Sequence, residues 1–181
     1  MSTSANFGRS TIDFLGHRIS AGGVVPLPEK VEAIRQFPQP TSIKELQQFA
    51  GMIDFYHRFL PSVASIMHPL YSALKSKTLV WSSELSTAFV RAKDALANAA
   101  MLSFPHADAP IALTTDASES AVGAVLENFV QGSWQHLAFF SRQLRKPECK
   151  YSVFDRKLLA LFFGCTTFPT LPRGTNVCDL H

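Results

Sequence analysis

The spacing of apolar residues divides the chain into a mostly helical first half and a strand-rich second half. In "SIKELQQFAGMIDFYHRFL", Leu46, Phe49 and Ile53 recur at steps of three or four residues, the period of an amphipathic helix. Ser42 and Glu45 have the spacing of a capping box at its start. The pattern predicts one long helix here, the clearest in the chain.

Three further segments of the first half have helical spacing. "PEKVEAIRQF" begins with a proline suited to a first helical turn, and "SSELSTAFVRAKDALANAA" is rich in alanine, with Leu85, Phe89 and Leu96 on roughly one face. "SVASIMHPLYSALKS" indicates a helix that is bent or broken near Pro69, because proline inside a helix removes a hydrogen bond. The first half is therefore expected to be mainly helical.

Strand patterns occur at the N-terminus and after residue 100. "TIDFLGHRIS", "AGG" and "VVPL" indicate a strand, a turn and a second extended piece, and residues 1–10 are expected to be a disordered N-terminus. "IALTTD", "AVGAVLENFV" and "WQHLAFFSRQL" are three strand-like runs joined by short turns, which favours an antiparallel meander. A final helix is predicted over "YSVFDRKLLALFFGCTTF". The expected class is α+β, with a domain boundary in the proline-containing connector at residues 101–108.

Composition narrows the class of protein. The 181 residues are 46% hydrophobic, enough to bury a core, and the longest apolar run, "LLALFF", is far shorter than the roughly 20 residues that cross a bilayer. No membrane association is expected. Three cysteines fit neither a disulfide framework nor a paired-cysteine zinc site, which favours a reducing, intracellular setting in cytoplasm or nucleus.

Charge is modest overall but concentrated in one region. The formal net charge is +3, and one stretch holds six basic residues against Glu148 and Asp155. The basic residues are Arg142, Arg145, Lys146, Lys150, Arg156 and Lys157. A cluster of this size is more often a solvated face than a phosphate-binding surface.

Asp116 is the most informative single residue. It follows the apolar strand "IALTT", and a carboxylate there needs a cation, a metal or hydrogen bonds. Capping of the "DASES" turn is the simpler role, since aspartate often caps turns. A metal site is the functional alternative.

Ordered motifs give the chain a family resemblance. "FLGHRIS", "PEKVEAI", "KELQQFAGMIDFYHRFL", "HPL", "TTDAS", "GAVL", "FFSRQL" and "RKLLA" occur in the order and spacing of Pol polyproteins of gypsy-like long-terminal-repeat retrotransposons. The resemblance implies that residues 11–100 are a helical thumb and connection region from the end of a reverse transcriptase. Residues 108–181 would be a truncated, incomplete ribonuclease H-like domain with a three-stranded meander and a helix.

The resemblance also implies a chemistry. Ribonuclease H cleaves the RNA strand of an RNA/DNA hybrid with two magnesium ions held by several carboxylates. Asp116 matches the first ligand, beside the small residues Ala117, Ser118 and Gly123. Lys157 stands at the position expected for a second ligand, a glutamate. An ammonium cannot bind magnesium, and it is expected to pair with Asp116 instead.

Other acidic residues are not expected to supply the missing metal ligands. Asp155 lies two residues before Lys157, a helical rotation of about 200°, so it is expected on the surface. The third family aspartate has only a weak counterpart in Asp179, near His181. The rest of the fold would then be missing, which leaves an open sheet edge able to self-associate. No Tyr-x-Asp-Asp turn occurs, so polymerisation is not expected.

Candidate nucleic-acid-binding residues follow from the same resemblance. They are Lys44, His57 and Arg58 of the thumb-like region, together with Arg142 and Lys157. Phe49, Tyr56 and Phe59 could support that surface, but core packing is the favoured interpretation of these aromatic side chains.

The expected function is that of a retrotransposon-derived Pol segment whose ancestral activity is metal-dependent cleavage of RNA in RNA/DNA hybrids. This chain alone is expected to be inactive and not to bind Mg²⁺ stably. One alternative is an enzyme completed by another chain. Others are a non-catalytic nucleic-acid-binding remnant, a fragment with no selected role, and a small α/β interaction protein whose basic residues serve only solubility.

Overall fold

Residues 10–168 are described by the computed structural model, so the expected disordered segment lies, except for Ser10, outside the described residues. The described part contains helices and two three-stranded antiparallel sheets, which confirms the α+β class. The elements in chain order are β1 Thr11–Phe14, β2 His17–Ser20, β3 Gly23–Pro26, α1 Pro28–Arg35, α2 Ile43–Phe55, α3 Val63–Ala73, α4 Ser83–Ala97, β4 Ile111–Ala117, β5 Ala121–Val130, β6 Ser133–Gln143 and α5 Val153–Thr167. Short 3-10 turns cover His57–Phe59 and Glu148–Lys150.

The N-terminal sheet departs from the predicted hairpin. "TIDFLGHRIS" is two strands, β1 and β2, which pair antiparallel with Phe14 opposite His17. Leu15 and Gly16 between them have positive φ values of 44° and 77°. Two consecutive positive φ angles are typical of a type I′ hairpin turn, whose usual residues are Asn and Gly. Leucine at the first position concealed the turn from sequence reasoning.

Helix α2 is shorter than predicted. It ends at Phe55, and the 3-10 turn His57–Phe59 replaces its expected last turn. Its start is as expected, because the Ser42 hydroxyl accepts a hydrogen bond from the Glu45 N–H at 3.2 Å. The Glu45 carboxylate in turn accepts the Thr41 N–H at 2.7 Å.

Helix α3 runs without interruption through Pro69, so of the two predicted alternatives, a bent or a broken helix, the break is wrong. Met67 and Leu70, on either side of the proline, are fully buried. Proline removes one backbone hydrogen bond from the helix. The burial of these two side chains contributes several times the free energy of one such bond, so tertiary packing outweighs the effect of the proline. Ser82 is the N-cap of helix α4, and its hydroxyl accepts the Leu85 N–H at 3.1 Å.

The core of the helical half extends into the second half. Leu102 of the connector before β4 and Phe139 of β6 are buried in the same cluster as the α2, α3 and α4 side chains. The Ala64 N–H, in the first turn of α3, donates to the Ser141 hydroxyl of β6 at 2.7 Å. The connector between α4 and β4 is held in place as well, since its Leu102 exchanges two backbone hydrogen bonds of 2.7 and 2.9 Å with Val24. The predicted boundary at residues 101–108 falls within this connector.

The second half is the predicted meander followed by a helix. Strands β4, β5 and β6 pair antiparallel in chain order, and α5 lies on one face. Gly164 of α5 approaches so closely that an added Cβ would lie 3.1 Å from Leu113 and 3.2 Å from Ala124. Within residues 10–168, β4 pairs only with β5, so its other edge has no strand beside it.

Among residues 10–168, no helix combines the length and hydrophobicity needed to cross a bilayer.

Candidate functional site

Asp116 is exposed near the C-terminal end of β4, after the buried residues Leu113 and Thr115. It lies opposite Gly123, which in turn lies opposite Ser141. Residues directly opposite in an antiparallel sheet share a face, so these three form one row across the sheet. The row has no side chain at its centre and meets α3 at its Ser141 end.

The turn after Asp116 is held by Ser118 rather than by the aspartate. The Asp116 carboxylate accepts only the N–H of its neighbour Ala117, at 2.8 Å, among the described residues. The Ser118 hydroxyl donates to the Ala121 carbonyl at 3.0 Å and accepts the Ala121 N–H at 3.0 Å. Turn capping therefore leaves the Asp116 carboxylate largely unused, and it remains open to solvent.

Lys157 lies in the first turns of α5, half-buried, at the same helical spacing as the sheet-facing residues Ala160 and Gly164. Within residues 10–168, no ion pair within 4.0 Å includes Asp116 or Lys157, so the expected pairing between them is not formed. Side chains along β4 alternate between the two faces of the sheet, which explains why Asp116 and Lys157 do not meet. Ala117 packs on the α5 side of the sheet, which places Asp116 on the other face.

Arg156, which sequence reasoning treated only as part of the basic cluster, connects α5 to the Asp116 turn. Its Nη1 donates to the Ser118 carbonyl oxygen at 2.7 Å. Asp155 is exposed, as predicted, and it lies in the first turn of α5 next to the N-cap residue Ser152: the Ser152 hydroxyl donates to the Asp155 carboxylate at 2.7 Å and accepts the Asp155 N–H at 3.1 Å. The spacing of Ser152 and Asp155, three residues apart before an apolar run, was a usable signal for that cap.

The residues that the structure describes do not fit a two-magnesium site. Magnesium, which ribonuclease H-like domains generally use, needs several oxygen ligands in near-octahedral array. In the part of the chain that the structure describes, no three His, Cys, Asp or Glu side chains are grouped to hold a metal ion. Asp116 belongs to no such group among residues 10–168, and Asp179 lies outside the described residues.

Arg142 is engaged within the fold. Its Nη2 donates to the Glu148 carboxylate at 2.9 Å, and its guanidinium lies 4.1 Å from the centre of the Phe163 ring. Glu148 also accepts the Arg145 N–H at 2.6 Å. Burial alone would raise the pKa of Glu148, but these hydrogen bonds together outweigh it and hold the pKa below its ordinary value. Arg142 therefore stabilises the turn after β6, and the exposed cations of the cluster are Arg145, Lys146 and Lys150.

The thumb-like candidates are exposed but do not form one patch. Lys44 lies in the first turn of α2, whereas His57 and Arg58 lie in the 3-10 turn beyond its end, about 20 Å away along the helix. The His57 Nδ1 is 2.8 Å from the Asp54 carbonyl oxygen. Phe49, Tyr56 and Phe59 are buried, which agrees with their interpretation as core residues.

The second half thus has the architecture of a ribonuclease H-like domain: an antiparallel meander with an aspartate at the end of its first strand, followed by a helix. Comparison with known proteins gives the same class. A family described as "RNase H-like domain found in reverse transcriptase" matches residues 81–177. This chain belongs to that family.

Curated relatives are retrotransposon polyproteins, which confirms the resemblance seen in the sequence. The Retrovirus-related Pol polyprotein from transposon opus of Drosophila melanogaster is 35% identical over 189 residues, covering 98% of this chain and 19% of the relative. The one from transposon 297 of the same organism is 35% identical over 164 residues, covering 90% and 15%. The Transposon Tf2-3 polyprotein of Schizosaccharomyces pombe is 32% identical over 157 residues, covering 86% and 12%. The chain spans less than a fifth of the length of each.

Solved structures share the fold. The foamy viral protease-reverse transcriptase in complex with dsDNA has a TM-score of 0.80 at 24% identity, covering 93% of this chain and 36% of that one. The same viral protein in complex with an RNA/DNA hybrid has a TM-score of 0.79 at 23% identity, covering 93% and 23%.

Proposed function

We propose that this chain binds nucleic-acid duplexes, RNA/DNA hybrids among them, without hydrolysing them. The observation that carries the proposal is the exposed carboxylate of Asp116, together with the absence within residues 10–168 of any three His, Cys, Asp or Glu side chains grouped to hold a metal ion. A nuclease-like platform without grouped carboxylates in this part retains surface for binding but has no set of ligands there to place metal ions.

Three sets of exposed basic side chains support binding. Lys44 begins α2, His57 and Arg58 follow it, and the third set is Arg145, Lys146 and Lys150. Exposed lysine and arginine side chains neutralise backbone phosphates and release counterions, so affinity should fall steeply with salt. The foamy viral neighbours are complexes with dsDNA and with an RNA/DNA hybrid, which adds support for a duplex as the partner.

In this proposal residues 11–100 act as the thumb and connection region and grip the duplex, and residues 108–181 act as the ribonuclease H-like platform. Arg142 and Lys157 contribute less than predicted: Arg142 is paired with Glu148, and Lys157 is half-buried. Stable Mg²⁺ binding is not part of the proposed function. In this proposal the chain acts inside the cell, and the cytoplasm and the nucleus both fit the proposed function.

Self-association is a second candidate property, favoured by one observation. The outer edge of β4 is unpaired within residues 10–168, and unpaired strand edges expose N–H and C=O groups that can pair with another chain. Sedimentation velocity over a range of protein concentrations tests it. Monomers at all concentrations would exclude pairing through this edge.

The experiment that tests the main proposal compares binding and cleavage on one labelled RNA/DNA hybrid. Fluorescence anisotropy at increasing salt should show binding with a steep salt dependence, and the Lys44→Ala/Arg58→Ala double variant should reduce the slope of log K against log salt by about two. Arg35→Ala is the matched control, because Arg35 lies on α1 and its charge already faces Glu32 at 3.7 Å.

Cleavage is measured in the same samples with Mg²⁺ or EDTA, with circular dichroism confirming the fold. No cleavage is expected. Cleavage abolished by Asp116→Asn would mean that a working site exists despite Lys157, and the proposal would be wrong. Cleavage that survives Asp116→Asn would show that any activity comes from elsewhere and that Asp116 is not its ligand.

A further inference from the structure

A groove of about 470 Å³ lies between α3, α4 and the β4–β5 turn, and none of the candidate site residues discussed so far lines it. Its lining includes Ser65, His68, Glu84, Thr87, Arg91 and Ser120. The volume is within the range of small-molecule sites in proteins. Because Ser120 belongs to the turn that follows Asp116, the groove joins the helical half to the candidate site.

The groove carries one cation, Arg91, that the fold does not neutralise. Arg91 is exposed, and no carboxylate of the described residues lies within 4.0 Å of its guanidinium. His68 is exposed on α3 and likewise takes part in no ion pair in that range. Glu84 is the acidic residue of the lining. By contrast Arg18, Arg35 and Arg142 each face a carboxylate.

Hydroxyl groups complete the lining. Thr87 donates to the Ser83 carbonyl oxygen at 2.8 Å, so its proton is used within α4. Ser65 and Ser120 have side chains without such an internal bond among the described residues, so both can donate to a ligand. A guanidinium, an imidazole and free hydroxyls around one groove are the donors that bind phosphate oxygens.

We propose that this groove binds a backbone phosphate of a nucleic-acid strand and leads that strand towards the Asp116 turn. The inference rests on the proposed function and adds a specific subsite to it. Arg91 binds the phosphate, and His68 and Ser65 on α3 complete its surroundings. Glu84 repels a second phosphate, because like charges at close range are unfavourable, so the groove holds one phosphate group.

The test uses a 5′-fluorescein-labelled RNA/DNA hybrid and fluorescence anisotropy with four forms of the chain. Arg91→Ala should weaken binding about five- to tenfold and reduce the salt slope by about one. Glu84→Gln should strengthen binding about twofold. Arg35→Ala, which removes an equal charge outside the groove, should stay within about twofold of wild type. Inorganic phosphate at matched ionic strength should not compete if the site is built for a strand.

Equal effects of Arg91→Ala and Arg35→Ala, with wild type binding normally, would overturn the groove while leaving the proposed function intact. Competition by inorganic phosphate that equalises wild type and Arg91→Ala would replace the strand with a free anion as the ligand. If wild type does not bind the hybrid, the proposed function fails. An NMR titration with a 5′-phosphorylated diribonucleotide then decides the groove: shifts at Ser65, Arg91 and Ser120 support it, and their absence overturns it.

Discussion

The Arg156 guanidinium, at the start of α5, donates a hydrogen bond to the Ser118 carbonyl oxygen in the turn that follows Asp116, at a distance of 2.7 Å. The position of that turn therefore depends on a side chain 38 residues away. Sequence reasoning grouped Arg156 with cations of the surface, yet its contact is with the backbone of the candidate site.

Arg156→Ala should loosen the turn. Hydrogen bonds from charged donors contribute about 1.5–3 kcal/mol, and because the contact is partly open to solvent we expect a loss of about 1–2 kcal/mol in the free energy of unfolding. Urea denaturation measures this loss, and amide hydrogen exchange should be faster at Ser120 and Ala121. Lys150→Ala, an exposed cation elsewhere, should change stability by less than about 0.5 kcal/mol. Equal effects of the two variants would show that the Arg156 contact carries no energy.

Glu148→Gln should make the protein less stable at neutral pH and less sensitive to acid. The pKa of Glu148 is lower in the folded state than its ordinary value of 4.5, so the folded state binds the proton more weakly than the unfolded state does. The stabilisation is therefore fully present above pH 4.5 and is lost as the pH falls through the folded pKa. We expect a loss of about 1–3 kcal/mol at neutral pH.

Denaturation curves at stepwise lower pH check the Glu148 prediction. The difference between wild type and Glu148→Gln should shrink as the carboxylate is protonated. Glu119→Gln serves as the control, because Glu119 is exposed and has no ion pair within residues 10–168. A difference that stays constant down to acid pH would contradict the assignment.

Two glycine-to-alanine substitutions should change the stability of the fold in opposite directions. At Gly164 an added Cβ would lie 3.2 Å from the Ala124 Cβ, which cannot rotate away, so Gly164→Ala should lower stability by about 1 kcal/mol despite alanine's better helix propensity. At Gly51 of α2 no atom outside the adjacent residues and the helix's own backbone lies within 4 Å of the added Cβ, so Gly51→Ala should raise stability by about 0.5–1 kcal/mol. Thermal melting of both variants tests the pair. Stabilisation by Gly164→Ala would mean that α5 lies further from the sheet.

Leu15→Asn should stabilise the N-terminal sheet. Leu15 is 72% exposed and holds a φ of 44°, a region that costs a branched side chain about 1–2 kcal/mol and suits asparagine. We expect the free energy of unfolding, measured by chemical denaturation, to rise by about 0.5–1 kcal/mol. Val80→Asn removes an exposed apolar side chain outside any strand and should have almost no effect. A gain from both variants would attribute the effect to solubility instead.

Features that depend on neighbours in the sequence could be predicted. Ser42 and Ser82 each cap the helix expected after them, and the three strands of the second sheet follow from alternating apolar residues and short turns. The ordered motifs led to the correct family, and Asp116 lies at the strand end that they indicated.

Features that depend on distant partners could not be predicted. Arg142 had the appearance of a phosphate contact because neither the Phe163 ring beneath it nor the geometry of Glu148 can be read from spacing. Pro69 remains helical because Met67 and Leu70 are fully buried by elements elsewhere in the chain. The separation of Asp116 from Lys157 depends on which face of the sheet α5 covers, a tertiary choice.

The backbone bridge between Val24 and Leu102 affects how the chain can be divided. It joins positions 78 residues apart (102 minus 24), and Gly23 beside it allows close approach, since a Cβ there would lie 2.3 Å from the Leu102 carbonyl oxygen. The connector also donates from the Ser103 N–H to the His136 carbonyl oxygen at 2.7 Å. A protease would therefore find no loose linker at residues 102 and 103. A shortened chain beginning after residue 24 would leave the N–H and C=O of Leu102 without partners, so the second half depends on the first strands to keep its own connector in place.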